Sequence, residues 1–268
     1  MKNKTKEIKT NLRWPGGKSK MIKILDNFLP KEINKYLETF IGGGSVLLHV
    51  IQKFNPEVIY ANDIDTNLIN YYNHIQNAPQ NVIDECTQIK NQFNHETFTK
   101  EFSNLDKKKP SHYFILNKTS FSGLGNNYSS QAYDKNFSLN SINKIQDVSD
   151  VIKNTNFVNC DFSELEKQIG YIDDYFIYLD PPYYGNKNKG LYGEKGELHK
   201  GFNHDKLFEW IEKHSKNNKI MLSYDDSPYI REMYKDYNIY SFDFIFFKHL
   251  RKLFNFNRLT TSSCSSCF

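Results

Sequence analysis

The 268-residue chain predicts an α/β fold, a doubly wound parallel sheet interrupted by one insertion. Strand-like and helix-like stretches alternate, and a glycine turn joins the first strand to its helix, which is the pattern of a βαβ unit. The alternation stops near Ala78 and resumes after Lys153. Residues 1–77 and 154–268 are therefore expected to form one discontinuous domain, with 78–153 inserted into it. A chain of this length can bury one large core, and no internal repeat divides it.

The elements follow in order. "SKMIKILDNFLP" sets Met21, Ile22, Leu25, Phe28 and Leu29 at helical spacing and predicts a helix ending at Pro30. "KYLETF" predicts a strand running into the turn Ile41–Ser45, and "SVLLHVIQKF" a helix with Ser45 as its N-cap. "EVIYAND" is a strand, and "TNLINYYNHIQ" a helix that Asp65 is placed to cap. Within the insertion, "NVIDECTQIKNQFNHETF" has helical periodicity, whereas "HYFILNKTSFSGLGNNYSSQAYDKNFSL" is rich in Gly, Ser, Asn and Tyr. Strand and helix then alternate again through "FVNCDF", "SELEKQIG", "YFIYLDPPYYG", "HDKLFEWIEKHSK" and "KIMLSYDD". Beyond Phe246 the text shows no clear strand alternation, so the sheet is expected to lack an edge strand there.

Composition narrows the function classes. Charged residues at 25% and aromatics at 15% fit a soluble globular protein, and a net charge of +4 permits a polyanionic partner without demanding one. No apolar run approaches a membrane span, and "MKNKTKEIKTN" has no apolar stretch behind it, so a cytoplasmic protein is expected. The four cysteines give no disulfide framework. Cys264 and Cys267 lack a second ligand pair at suitable spacing, and no metal is expected.

Three motifs carry chemistry. "PGGKS" ends like a phosphate loop, but Leu12 stands where the first glycine would be and no buried strand precedes it, which argues against a triphosphate. "FIGGGS" joins a strand to a helix, where Gly42 and Gly44 let a ligand approach the backbone. Asp63 ends the next strand, placed to accept ribose hydrogen bonds; together they point to a nucleoside-bearing cofactor. In "YFIYLDPPYYG", a buried strand delivers Asp180 at its carboxyl end. Pro182 holds Pro181 extended, leaving the Pro181 carbonyl as an acceptor, and Tyr183 adds an aromatic face. A carboxylate, a carbonyl and a ring make a receptor for a flat exocyclic amine.

The ordered motifs "WPGGK", "FIGGGS" and "DPPYY", with a polar insertion between the last two, resemble the Dam-like family of DNA adenine-N6 methyltransferases from about Arg13 to about Phe246. The resemblance implies a Rossmann-like methyltransferase sheet, S-adenosylmethionine as cofactor and double-stranded DNA as partner. Trp14 and Lys18, the turn from Phe40 through Gly42 and Gly44 to Ser45, Asp63, Asp161, Phe162 and Asp180 match cofactor-contacting positions. Asp180, Pro181, Pro182 and Tyr183 match the catalytic motif. The insertion would be a mainly helical target-recognition domain containing a β-hairpin, with Asn117, Lys118, Ser122, Gly123, Asn126, Asn127 and Tyr128 as DNA contacts. Asparagines in turns also serve structure alone.

Two departures matter. Asn126 stands where enzymes reading GATC carry an arginine, which removes a bidentate guanine contact. The C-terminal text lacks the basic hairpin and last strand of the family. "NKNKGLYGEKGELHKGFNHDKL", Asn186–Leu207, is expected to be a loop closing over substrate, with His204 an ordinary surface residue. A cytosine-N4 enzyme with the same site and a catalytically dead, cofactor-sensing DNA-binding module remain alternatives. A monomer or weak dimer is expected, with a restriction nuclease as a genetic rather than physical partner.

Overall fold

The computed structural model describes residues 7–184, 201–242 and 251–255. Its seven-stranded sheet has the order β3-β2-β1-β4-β5-β7-β6. The parallel strands are β1 (Lys35–Glu38), β2 (Val58–Asn62), β3 (Asn156–Val158), β4 (Phe176–Leu179) and β5 (Lys219–Asp225). Antiparallel β6 (Asn238–Phe242) and β7 (Arg251–Asn255) complete it.

Side-chain alternation divides the core. Tyr36, Phe176, Tyr178 and Met221 join the buried cluster on one face, while Leu37, Ile177, Leu179 and Leu222 join that on the other. Consecutive strand residues point to opposite sides, so a strand covered on both faces reads as a continuous apolar run. On the first face lie α2 (Ser45–Phe54) and α3 (Thr66–Asn77); on the second lies α10 (His204–His214).

The segment between β2 and β3 is helical after α3: α4 (Pro79–Gln92), α5 (His95–Phe102), α6 (Pro110–Thr119), α7 (Ser130–Asn136) and α8 (Leu139–Ile152). Its buried Phe98, Phe114, Ile142 and Val148 share one cluster with Val46 and Leu68, so the inserted helices pack directly on the sheet's own helical layer. The β-hairpin is minimal, a single antiparallel bridge between Ser120 and Tyr128.

Three local expectations change. The first helix, α1, covers only Ile22–Leu25; Phe28 N–H bonds back to Leu25 O, tightening the following turn. Ser45 is not the N-cap of α2: Gly44 holds that place in a left-handed conformation, and Ser45 is already helical. The sheet does not lack a strand at its C-terminal side, because β7 pairs with β5 from Met221↔Asn255 to Asp225↔Arg251 and with β6 over the same five residues. A strand bonded on both edges satisfies its backbone on both sides and needs no side-chain alternation to be held. Two short helices, α9 (Leu165–Ile169) and α11 (Pro228–Met233), finish the described elements.

Candidate active site

The chain leaves β1 toward β2 on one side and β4 toward β5 on the other, while β1 and β4 are neighbours. Such a switch point opens a crevice at the carboxyl ends of the strands. A cavity of about 1160 Å³ lies there, and Asp63 and Asp180 both line it. The two carboxyls read separately from sequence thus face one space.

The glycine turn forms one wall. Gly42 and Gly44 have φ of +45° and +68°, which side-chain-bearing residues rarely adopt. Trp14 lies against this turn, so that a Cβ on Gly43 would sit 2.8 Å from its Cβ. The Ser45 hydroxyl accepts from Lys18 N–H at 3.2 Å, tying the N-terminal "PGGKS" turn to the start of α2. Asp63 Oδ2 accepts from Gly42 N–H at 2.9 Å, and its Oδ1 from Asp65 N–H at 3.0 Å. Asp63 thus braces the turn as well as facing the cavity; burial pushes its carboxyl up to about 6. Asp65 caps α3 as expected, accepting from Asn67 and Leu68 N–H.

Asp180 is held from two sides. Lys18, itself buried, donates to Asp180 Oδ2 and to Gly16 O at 3.2 Å. The Tyr183 hydroxyl lies 3.3 Å from Asp180 Oδ1, and Lys18 Nζ lies 5.2 Å from the centre of the Tyr183 ring. Pro181 and Pro182 also line the cavity. Phe40, Phe162 and Phe202 line it too, with ring centres 5.7 Å apart in each pair, an apolar corner suited to a flat ring. Asp161 beside them accepts from Ser163 N–H at 3.1 Å and lies 3.4 Å from Lys206 Nζ.

Sequence reading missed four residues. Glu38 ends β1 inside the cavity wall, its Oε2 accepting from the Tyr36 hydroxyl at 2.6 Å. Asn62 donates to Thr39 O and Cys160 O, joining the loops after β1 and β3. Asp225 Oδ1 accepts from Tyr184 N–H at 2.9 Å and so holds the end of the "DPPYY" turn. His204, expected at the surface, is buried and bonded to the Tyr224 hydroxyl, because the start of α10 turns its first residue toward the sheet. An acidic residue at the end of a buried strand was the available signal for Glu38 and Asp225.

The expected DNA contacts divide. Asn117 is buried, and both amide hydrogens are used on Arg13 O (2.7 Å) and Gly123 O (2.9 Å), while its oxygen accepts from Arg13 N–H at 2.9 Å. It staples the N-terminal segment to the insertion and has no hydrogens left for a base. Tyr128 donates to His95 O at 2.6 Å and packs on Phe98 and Phe102, again within the fold. Lys118 is buried with Nζ 5.2 Å from the Phe114 ring centre; burial, then Arg13 and Lys144, bring it down to about 8. Gly123 packs so closely that a Cβ would lie 2.5 Å from Arg13 O. Ser122 and Asn126 line the cavity, Asn126 accepting from Lys107 Nζ at 3.0 Å, and Asn127 is exposed. Most of the expected closing loop, residues 186–200, lies outside the described residues, as do Cys264 and Cys267. No helix among the described residues is long and apolar enough to cross a membrane.

A family model described as D12 class N6 adenine-specific DNA methyltransferase matches residues 14–245. Over 204 residues the chain is 28% identical to the type II methyltransferase M.MjaIII of Methanocaldococcus jannaschii, covering 66% of this chain and 70% of that one. It is 25% identical over 268 residues to M1.LlaDCHI of Lactococcus lactis subsp. cremoris, covering 90% and 91%. It is also 25% identical over 248 residues to a DNA adenine methylase of Haemophilus influenzae, covering 83% and 82%.

Proposed function

Since this chain belongs to the D12 class N6 adenine-specific DNA methyltransferase family, we propose that it methylates the N6 amine of an adenine flipped out of double-stranded DNA, with S-adenosylmethionine as donor. The observation that carries this reading is one cavity lined by Asp180, Pro181 and Tyr183 together with the glycine turn and Asp63. Its donor set fits the cofactor. The Phe40, Phe162 and Phe202 corner suits an adenine ring, Asp63 keeps acceptor capacity for ribose hydroxyls, and acidic Glu38 and Asp180 suit a cation. When bound, S-adenosylmethionine supplies a methyl group on a sulfonium, a good leaving group.

The chain's own part is positioning. Asp180 Oδ1 and the Pro181 carbonyl accept the two N6 hydrogens, which draws the nitrogen lone pair out of conjugation with the ring. Lys18 on Oδ2 keeps the carboxylate oriented, and the longer Tyr183 contact to Oδ1 yields to the incoming amine. Tyr183 stacks on the base, and Asp225 fixes the turn that carries it. Residues 78–153 would form the DNA-reading domain, and Asn126 in place of arginine argues for a site other than GATC. The setting proposed is the modification half of a restriction–modification system in the cytoplasm.

The test is incubation with duplex DNA and methyl-labelled cofactor, followed by digestion and mass spectrometry. Label on N6-methyladenine is expected. Label on cytosine alone, or on no base, refutes the proposal.

A further inference from the structure

We propose that Lys107 and Asn126 together read one guanine of the DNA site, the lysine fixing which way the asparagine amide faces. This deepens the methyltransferase reading of the cavity and rests on it. Both residues line the cavity that Asp180 lines, Lys107 from the loop before α6 and Asn126 from the turn after it. Lys107 Nζ donates to Asn126 Oδ1 at 3.0 Å, the one hydrogen bond its ammonium makes among the described residues. Nearby Lys109 is spent on Glu85, whereas Lys107 meets a neutral amide. Both halves of the pair are held by their own backbone. Asp106 Oδ1 accepts from Lys108 N–H at 3.0 Å and Asp106 O from Lys109 N–H at 3.0 Å, which sets the loop that carries Lys107. In the facing turn, Gly125 N–H donates to Ser120 Oγ at 2.7 Å and Phe121 N–H to Asn127 O at 3.2 Å. The lysine stem lies across that turn, so close that a Cβ on Gly125 would stand 3.3 Å from Lys107 Cε.

The consequence follows from donors and acceptors. An ammonium donates and cannot accept, so Asn126 must offer it the amide oxygen, and the NH2 is left to face away. Asn126 is exposed, and that NH2 has no protein partner among the described residues. Lys107 keeps further N–H groups beside it. The pair therefore presents adjacent donors and no acceptor. On the major-groove edge only guanine shows two adjacent acceptors, O6 and N7; adenine sets a donor beside its N7, thymine a methyl beside its acceptor, and cytosine a donor. An asparagine by itself matches adenine, with its oxygen on N6–H and its NH2 on N7. The bond to Lys107 takes that oxygen and turns the preference to guanine. One guanine is common to many sites besides GATC.

The experiment maps the adenines that the full chain methylates in unmodified genomic DNA, then measures single-turnover rates on duplexes varied one base pair at a time. Wild type should require a G·C pair at one position and lose about tenfold or more when another pair stands there. Replacing that guanine with 7-deazaguanine, which lacks the N7 acceptor, should cost a similar factor and needs no protein variant. Lys107→Ala should bring the rates with G·C and A·T at that position within about threefold of each other and leave selectivity elsewhere intact, because the freed amide can turn to adenine. A methylated site with no required G·C pair, or a full wild-type rate with 7-deazaguanine at every required guanine, overturns the inference alone. So does a folded Lys107→Ala protein that slows on all duplexes alike with a shallower salt dependence, as loss of a phosphate contact would give, or that keeps every wild-type preference. Failure of wild type to methylate any duplex overturns the methyltransferase reading and this inference with it.

Discussion

Replacing Asn117 with alanine should cost about 3 kcal/mol and loosen two functional segments at once. Asn117 makes three hydrogen bonds, to Arg13 N–H, Arg13 O and Gly123 O, at 2.7 to 2.9 Å, and is 3% exposed. A buried polar group left unpaired costs about 1–3 kcal/mol. Three groups lose their partner, but Arg13 is half-buried and water can reach part of the space, which sets the total near the low end for each. Trp14, on the glycine turn, directly follows Arg13, so cofactor affinity should fall together with stability. Asn117→Asp should be worse, since a carboxylate oxygen would face two carbonyl oxygens. Urea denaturation gives the global loss, hydrogen exchange at Arg13 the local one, and calorimetry the cofactor affinity. A loss under about 0.5 kcal/mol with Arg13 still protected would refute the reasoning.

Other expectations follow from the same geometry. Asp180→Asn should lower the methyl-transfer rate by about 10³-fold in single turnover at saturating cofactor, and weaken cofactor binding as well, because it removes an anion that both orients the amine and faces the cofactor's cation; a wild-type rate would contradict its role. Gly44→Ala places a Cβ 2.6 Å from the Tyr72 hydroxyl at a φ of +68°, and should cost about 2–3 kcal/mol, read as a lowered Tm. Asp63 has its folded value at about 6 against an ordinary 3.8, with burial the main cause. Its contribution to stability is therefore fully present below about pH 4 and is lost, by about 3 kcal/mol, as pH rises through 6. Cofactor affinity should run the other way, weakening as Asp63 protonates below pH 6. Comparing melting curves of wild type and Asp63→Asn between pH 4 and 7 checks the first, and an identical slope in both would reject it.

What sequence revealed best was whatever sits at a strand's carboxyl end. Asp63 and Asp180 were legible because the apolar run before each fixes where the strand stops, and the parallel arrangement brings all such ends to one edge. Glu38 obeys the same rule but was hidden by the glycine turn that follows it. The Asp65 cap was legible for a local reason, since an aspartate before a helical pattern serves its own backbone. Ser45 misled because it is a good cap residue displaced by one position: Gly44 takes the left-handed conformation that ends the turn. The burial of Asn117, Lys118 and His204 was hidden because burial of a polar side chain depends on partners far along the chain. Arg13 lies 104 residues from Asn117, and Tyr224 lies 20 from His204. No window of local text carries such distances.

The placement of β7 between β5 and β6 has a consequence for how the chain comes to rest. Strand β6 leaves the ribosome before β7, its partner among the described strands, so that edge stays open until residues 251–255 emerge and slot in beside it. A single nick or frameshift ahead of residue 251 would strip away a pair of strands rather than one. It would also bare the flank of β5, a ready template for sticking to another molecule.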